Sequence, residues 1–297
     1  MEAEYDGTIF SLFAILDIVF RENNLPDKII RNDILYSSSS KSQDMQAELF
    51  DKLADDLPDD ESGKELYLLK SSCTAYRYFE SCRNSFSGQE IIKYSGKAYK
   101  DILYAWMSEL PIEREIIYFA WKVVSAGRME DAEIAKCGDK KPGKRVSAAE
   151  KARCDLADVN IKKVMEAASR ARKESHFLLG ILRFSVGTSG VPIARCSPDY
   201  FVLPTLAHHF SLRFGSSPWA IIDERRNISL IRTEEEWAKL MIFNPGHPWF
   251  KESFDDWEKM WKNYHSSINN ESRSNPNLQR RFIPVRYWKY LPELQDK

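Results

Sequence analysis

The chain has 297 residues, of which 43% are hydrophobic and 29% charged, so it can bury a sizeable core and is neither a disordered tail nor a fibrous repeat. Its net charge of −1 conceals an uneven distribution, because residues 1–66 hold sixteen acidic residues against six basic ones. The basic surplus is concentrated in residues 135–175 and 271–291. Such stretches on a nearly neutral protein favour a polyanionic partner, and a solvated helix face is the competing explanation.

The five cysteines are scattered, odd in number and without a CxxC pair, which argues against a disulfide framework and a zinc knuckle. An apolar run near the start of the sequence follows three acidic residues. That is the wrong charge for a secretory signal, and the run is too short to span a membrane. We therefore expect a cytoplasmic protein that does not insert into membranes.

The first 135 residues predict a helical N-terminal lobe. Apolar residues at three- and four-residue spacing predict a core helix from Thr8 to Glu22, with Asp6 or Thr8 as its cap. A serine-rich break at 37–40 and an acidic segment at 55–61 are typical of loops. Further helices are predicted at about 44–54, 64–83 and 88–108, and from Pro111 onward.

Residues 136–297 predict an α+β lobe. A basic loop at 138–145 leads to a capping box at 147–150, which opens a helix to about residue 173. The segments predicted in the remainder are a hairpin of 176–186 with 191–196, a helix over 203–214, a hairpin of 219–222 with 228–231, a short helix over 233–243, a loop at 244–248, a helix of about twenty residues from 249, and an extended basic-aromatic arm that ends in a short helical turn. The fold class is therefore α+β, predominantly helical, with two small antiparallel hairpins in the C-terminal half.

Four blocks of the sequence carry a resemblance to a known family. They are ESHFLLGILRF at 174–184, HFSLRF at 209–214, WAIID at 219–223, and the ending from Arg273 to Glu293. In order and spacing, and together with Asp6-Gly7, these blocks resemble the bacterial "probable DNA metabolism protein" family. The acidic stretch before Glu65 and the loops 138–145 and 244–248 are longer here than the family pattern, so contacts made there do not carry over.

The resemblance implies a context and not a mechanism. Members of that family are usually encoded beside a radical-SAM protein similar to spore photoproduct lyase. Related domains are fused to uracil-DNA glycosylase-like domains, which implies a role in DNA repair or base modification. The partners implied for this chain are a radical-SAM protein and DNA, either single-stranded or damaged.

Glu174, His176, His209 and Asp223 combine imidazoles and carboxylates inside these blocks and are the candidate catalytic residues. Two imidazoles and two carboxylates would suffice for a general base held by a carboxylate, or for a divalent metal. The competing explanation is a set of hydrogen-bonded polar residues that brace the two hairpins. No HxH, HExxH or DxD spacing supports a metal, so neither a metal nor a cofactor is predicted.

Arginines and one tryptophan form the predicted nucleic-acid-binding set. Arg183 and Arg213, near the two hairpins, would donate paired hydrogen bonds to a phosphate or to the carbonyl edge of a base. The alternative for Arg213 is an internal ion pair with Asp223. In the C-terminal arm, basic side chains alternate with aromatic side chains, as a surface that binds single-stranded nucleic acid requires. The alternative is that the aromatic rings fill the core. Its candidate residues are Arg280, Arg281, Arg286 and Trp288.

The sequence has no Walker loop, no GxSxG and no CxxxCxxC, so this chain is not itself the radical enzyme. We expect a DNA repair or DNA metabolism protein that binds or processes nucleic acid alongside a radical-SAM partner. The alternative is a non-catalytic protein that docks and positions that partner. The residues do not decide whether the chain is an enzyme.

Overall fold

The computed structural model describes residues 2–31, 79–137, 146–186, 189–234, 238–243, 245–246, 250, 256–270, 273 and 275–294. Contacts divide these residues into two compact units, an N-terminal unit that ends at Lys173 and a C-terminal unit that begins at Glu174. The predicted helix 44–54, both loop segments before it and after it, most of the predicted helix 64–83 and the basic loop 138–145 lie outside the described residues. The predicted lobes 1–135 and 136–297 stay a prediction.

The described part of the N-terminal unit is a helical assembly with one small parallel strand pair. Its elements are β1 (Glu2–Tyr5), α1 (Ile9–Glu22), β2 (Lys28–Arg31), α2 (Glu80–Asn84), α3 (Phe86–Met107), α4 (Glu113–Cys137), α5 (Ala148–Arg153) and the first part of α6 (Val159–Ile181). β1 pairs with β2 in parallel, a pairing that the sequence analysis did not predict.

Helix α1 forms as its pattern predicts. The Thr8 hydroxyl accepts a hydrogen bond from the Ser11 N–H and satisfies one of the free donors at the helix start. Asp6 accepts from the Thr8 N–H, so both predicted cap residues contribute. The apolar side chains at three- and four-residue spacing are fully buried, and α1 therefore lies at the centre of this unit.

A buried carboxylate ties three helices of the N-terminal unit together. Asp101, on α3, is almost fully buried and accepts hydrogen bonds from Arg153 of α5 and Arg172 of α6. Arg153 also donates to Glu150, which accepts from Ser95 at the point where α3 departs from helical geometry. The charge of Asp101 is tolerated in the interior because two guanidinium groups compensate it.

The structure corrects the predicted helix over 147–173 and the strand after it. Ser147 does cap a helix, but α5 ends at Arg153, and Asp158 starts α6 by accepting hydrogen bonds from the Asn160 and Ile161 N–H groups. Helix α6 then continues to Ile181, through most of the residues predicted as a strand. Leu178 is buried on this helix, so tertiary packing overrides the β propensity of the segment.

The C-terminal unit is built on one mixed sheet. After the end of α6 its elements are β3 (Phe184–Val186), β4 (Pro192–Cys196), α7 (Leu203–Phe214), β5 (Trp219–Asp223), β6 (Ile228–Arg232), β7 (Lys239–Ile242), α8 (Asp256–Ile268), α9 (Pro276–Phe282) and 3₁₀ turns at Val285–Tyr290 and Pro292–Leu294. The strand order is β3-β4-β5-β6-β7, with β4 and β5 parallel and the other pairs antiparallel. The predicted fold class, with its two hairpins, is confirmed.

Both faces of the sheet are covered. Trp219 on β5 contacts Phe210 and Phe214 of α7, the helix that makes the crossover between the parallel strands β4 and β5. On the other face, Ala220 and Ile222 belong to a buried apolar cluster with Phe250. Alternating side chains of one strand therefore serve two different cores, which is why β5 is buried along its whole length.

Two further predictions for this unit are wrong. The segment predicted as a short helix contributes the strand β7, because residues 239–242 pair with β6 and bury Leu240. The C-terminal arm, predicted as extended up to a short helical turn at its end, consists of α9 and two 3₁₀ turns, so only the final turn is as predicted. Asn275 caps α9 by accepting from the Leu278 N–H. Within the described ranges, no helix is both long enough and apolar enough to cross a lipid bilayer.

Replacement of Asp101 by alanine should destabilise the N-terminal unit by roughly 2 kcal/mol, since Arg153 and Arg172 lose the buried acceptor that they share and Arg153 keeps only Glu150 as a partner. Thermal unfolding followed by far-ultraviolet circular dichroism measures this loss. Asp131→Ala is the matched control, because Asp131 pairs with Lys93 on the exposed surface and should change the melting temperature little. Equal effects of the two variants would contradict the buried ion pair as the cause.

Candidate functional site

The C-terminal unit contains a cleft of about 700 Å³. The end of α6, strands β3 and β4, helices α7 and α8, and the turn at residues 289–292 form its walls. Four cationic side chains line it, Arg183, Arg195, Arg213 and Lys289. Four aromatic side chains line it as well, Phe184, Phe214, Trp261 and Tyr290. No carboxylate is among the described residues that line this cleft, so its surface is cationic and aromatic.

The cations of the cleft differ in how far they are neutralised. Arg213, in the last turn of α7, is exposed and makes no hydrogen bond or ion pair within the described ranges. Arg195 lies 3.6 Å from the Glu224 carboxylate, and Lys289 donates to the same carboxylate at 3.0 Å. Tyr290 donates to Glu224 at 2.7 Å. One carboxylate therefore faces two cations, which leaves net positive charge on this side of the cleft.

Arg183 is held in place by the protein itself. It donates to the Gly180 and Ile181 carbonyls at the end of α6 and, at 2.8 Å, to Glu293. Its guanidinium lies over the ring of Trp261, 5.3 Å from the centroid, and the Trp261 N–H donates to the same Glu293 carboxylate at 2.9 Å. Glu293 thus fixes a stacked pair of a planar cation and an indole at the cleft.

Glu293 is ionised under ordinary conditions. Burial by itself would raise the pKa of this carboxyl, but hydrogen bonds from its own backbone N–H and from Trp261, with the charge of Arg183, outweigh burial and leave the pKa below the usual value. The same balance lowers the pKa of Glu224, where hydrogen bonds from Tyr290 and Lys289 outweigh burial. Both carboxylates therefore keep the neighbouring cations of the cleft in position.

Glu174 connects the cleft wall to the body of the unit. Its buried carboxylate accepts from the Asp199 and Tyr200 N–H groups, from Arg286 at 2.9 Å and from the Tyr287 hydroxyl at 2.5 Å. Burial, together with the Glu174 charge, raises the pKa of Tyr287 far above its usual value, so the hydroxyl stays protonated and donates. The 3₁₀ turn at 285–290, which leads into the cleft wall, is anchored through this carboxylate.

Asp223 holds the same loop from another side. It is fully buried and accepts from the Arg226 side chain at 2.9 Å, and Arg226 donates to the Pro198 and Asp199 carbonyls. Burial raises the pKa of the Asp223 carboxyl, and the Arg226 charge with two backbone N–H groups offsets part of that rise. Burial also raises the pKa of the adjacent Cys196 thiol, which stays neutral.

The four candidate catalytic residues do not share one cleft. Glu174 and Asp223 are joined through the loop at 198–200, but His176 and His209 are both exposed and lie outside that network. His176 is separated from Glu174 by the helical geometry of α6, because residues two apart on a helix point to different faces. His209 lies on α7 with its ring edge against Phe210. Asp223 pairs with Arg226, and not with Arg213 as one interpretation had it.

The predicted nucleic-acid-binding residues also separate into groups. Arg183 and Arg213 line the cleft. Arg286 bridges Glu174 and Asp199 and so belongs to the supporting network. Arg280, Arg281 and Trp288 lie outside the cleft; the two arginines are exposed on α9, and the half-buried indole of Trp288 donates to the Ile283 carbonyl.

Sequence reasoning missed Arg195 and Trp261, which line the cleft, and Glu293, which supports it. A signal existed for Arg195, since an arginine in the middle of the apolar strand segment PIARC points to a specific site on one sheet face. Trp261 lies on an amphipathic helix where exposed and buried rings look alike in sequence. Glu293 lies near the end of the described chain, and its partners are 32 and 110 residues away, so no local pattern marks it.

Comparison with protein families gives one match. The model of a family described as a domain of unknown function, DUF4130, matches residues 143–293, just over half of the chain. The chain belongs to the DUF4130 family. The match covers every residue that lines the cleft, together with Glu174, Asp223 and Glu293, so the cleft and its supports lie inside the DUF4130 region. No curated protein and no solved structure matches the chain.

Replacement of Glu174 by alanine should lower the stability of the C-terminal unit by roughly 3 kcal/mol, because Arg286, Tyr287 and two backbone N–H groups lose their common acceptor. Urea denaturation measures the change. His176→Ala, two residues away on the exposed face of α6, is the control and should stay within about 0.5 kcal/mol of the wild type. A stable Glu174→Ala protein would contradict the anchoring role.

The ion pair of Glu293 predicts a dependence of stability on pH. The folded pKa of this carboxyl lies below its ordinary value of 4.5, so its contribution to stability is complete above pH 4.5 and is lost as the pH falls through the folded pKa. The difference in unfolding free energy between the wild type and Glu293→Gln should therefore be largest near neutral pH and shrink below about pH 4. A difference that does not vary with pH would show that charge plays no part.

Proposed function

We propose that this protein binds single-stranded DNA through the cleft and works in DNA metabolism. The observation that carries the proposal is the combination of four cations and four rings in one cleft of about 700 Å³. That volume is within the range of sites for nucleotide-sized ligands. A strand of DNA offers both features that such a surface binds, a phosphate backbone for the cations and flat bases for the rings.

The charge distribution supports a phosphate contact at Arg213. This guanidinium is exposed, lines the cleft and has no carboxylate partner within the described ranges, so all its donors are available to a phosphate. Arg195 and Lys289 add positive charge, which the single carboxylate Glu224 neutralises in part. A polyanion that enters the cleft therefore meets net attraction.

The rings favour a strand whose bases are unpaired. In a duplex the faces of the bases are stacked on each other and are inaccessible to side chains, whereas single strands present them to aromatic platforms. Trp261 lines the cleft with about a third of its surface exposed, which leaves part of the indole accessible. We therefore propose single-stranded DNA, and not duplex DNA, as the ligand.

The wider role follows from the resemblance to the "probable DNA metabolism protein" family. On that basis we propose that the protein acts in DNA repair, in the cytoplasm, beside a radical-SAM partner that supplies radical chemistry. In this proposal Glu174 and Asp223 support the cleft and are not catalytic. The residues that contact DNA are Arg213, Arg195 and Lys289, which replace the arm residues Arg280, Arg281 and Arg286 in that role.

Charge reversal at Arg213 tests the phosphate contact. Arg213→Glu should weaken binding of a fluorescent single-stranded oligonucleotide about tenfold at low salt, and should reduce the slope of log affinity against log salt by at least about 0.7, the contribution of one phosphate contact in a single strand. Fluorescence anisotropy across a salt series measures both quantities.

Arg83→Glu is the matched control. Arg83 is likewise exposed and likewise in the last turn of a helix, so both variants place a negative charge near a helix C-terminus, but Arg83 belongs to the N-terminal unit. Its affinity should equal that of the wild type. An equal loss of affinity in both variants would mean that binding depends on the overall charge of the protein and not on Arg213. Tighter binding of duplex DNA or of RNA than of single-stranded DNA would contradict the proposed ligand.

A further inference from the structure

Helix α8 presents two aromatic rings side by side on its exposed surface. Trp261 and Tyr264 are three residues apart and therefore neighbours on one helix face. Their ring centroids are 5.8 Å apart, with an angle of 39° between the ring planes. Trp261 is 36% exposed and Tyr264 is 56% exposed. Two large rings on a helix surface are usually buried to remove apolar area from water, so this exposure points to a ligand.

The two rings extend the cationic cleft along α8. Trp261 lines the cleft, whereas Tyr264 does not, so the pair connects the inside of the cleft to the surface beside it. A strand whose phosphate binds at Arg213 would therefore meet further rings along this helix. This continuity with a cationic site favours a polyanion with flat groups over a purely apolar partner.

The separation of the rings suits unpaired bases. Successive bases in B-DNA are about 3.4 Å apart along each strand. The 5.8 Å between the ring centroids is larger, so two successive bases reach both rings only when the strand is extended and its own stacking is broken. An extended single strand meets this condition, and a duplex does not.

Trp261 is held in a defined orientation before any ligand arrives. Its indole N–H donates to Glu293, and the Arg183 guanidinium covers its ring. Arg183 is itself fixed by the α6 carbonyls and by Glu293. A ring that is already ordered loses little conformational freedom on binding, which strengthens stacking.

We propose that Trp261 and Tyr264 form a stacking platform for two successive unpaired bases of single-stranded DNA, with Glu293 as the residue that positions Trp261. The platform rests on the proposed function, because it names how the bases of the same ligand are held. It assigns binding roles to Trp261 and Tyr264, which act on bases, whereas Arg213 acts on phosphate.

The test compares two oligonucleotides of equal length and charge, oligo(dT) and an oligomer of abasic tetrahydrofuran sites. The ratio of their affinities isolates the contribution of the bases, because both carry the same phosphates. The wild type should bind oligo(dT) at least tenfold more tightly than the abasic oligomer, as expected for two stacked bases. Tyr264→Ala should reduce this ratio at least threefold and leave the affinity for the abasic oligomer unchanged.

Three further variants separate the contributions. Phe282→Ala removes a ring on α9 that is 67% exposed and lies outside the cleft, so it should keep the wild-type ratio. Arg213→Glu should weaken binding of both oligomers and keep the ratio. Glu293→Gln should reduce the ratio, because Trp261 loses its charged partner, even though the loss of a negative charge favours phosphate binding in both oligomers.

The outcomes distinguish the two proposals. If the wild type binds neither oligomer, the proposed function is wrong. If it binds both with equal affinity, phosphate binding stands and the stacking platform is wrong. If Phe282→Ala lowers the ratio as much as Tyr264→Ala, the bases stack on α9 and the assignment to α8 is overturned. Thermal melting of each variant confirms that the fold is retained.

Discussion

The C-terminal unit depends on the burial of one charged group, the carboxylate of Glu174. A buried carboxylate is tolerated only when hydrogen-bond donors surround it, and here they come from three places: the loop at 198–200, Arg286 and Tyr287. Each donor group is thereby fixed relative to α6. Because Lys289 and Tyr290 come two and three residues after Tyr287, the position of one cleft wall is determined by how this charge is satisfied.

The charged residues differ in role because buried charges must be surrounded by hydrogen-bond partners. Arg226 and Arg286 each direct three contacts to acceptors inside the protein and hold the backbone in place. Arg213 is exposed and uses none of its donors within the described ranges. Arg183 has an intermediate role, because it donates to Glu293 and to two carbonyls while its guanidinium lies over the Trp261 ring. The number of unused donors, more than the number of positive charges, therefore distinguishes these supporting arginines from Arg213, the arginine that we propose binds phosphate.

The sequence predicted those elements whose pattern is local. Helix α1, helix α7 and the hairpin of β5 and β6 were predicted because side-chain periodicity and turn residues are read within a few positions. The strand predicted over 176–186 is found only at 184–186, since residues 176–181 continue α6 and pack as a helix. The candidate site was predicted in part for the same reason. Arg183 and Arg213 stood in recognisable blocks, whereas Glu293 is defined by partners at long range.

The order of the strands indicates the order in which the parts of the cleft form during folding. The five strands follow one another in the sheet in their order along the chain, so most pairings close short loops and are reached quickly during folding. The bond between Tyr287 and Glu174 closes a separation of 113 residues. The sheet is therefore expected to assemble first and the terminal turns to dock onto it afterwards, so that a partly folded chain has the strands but lacks the completed cleft.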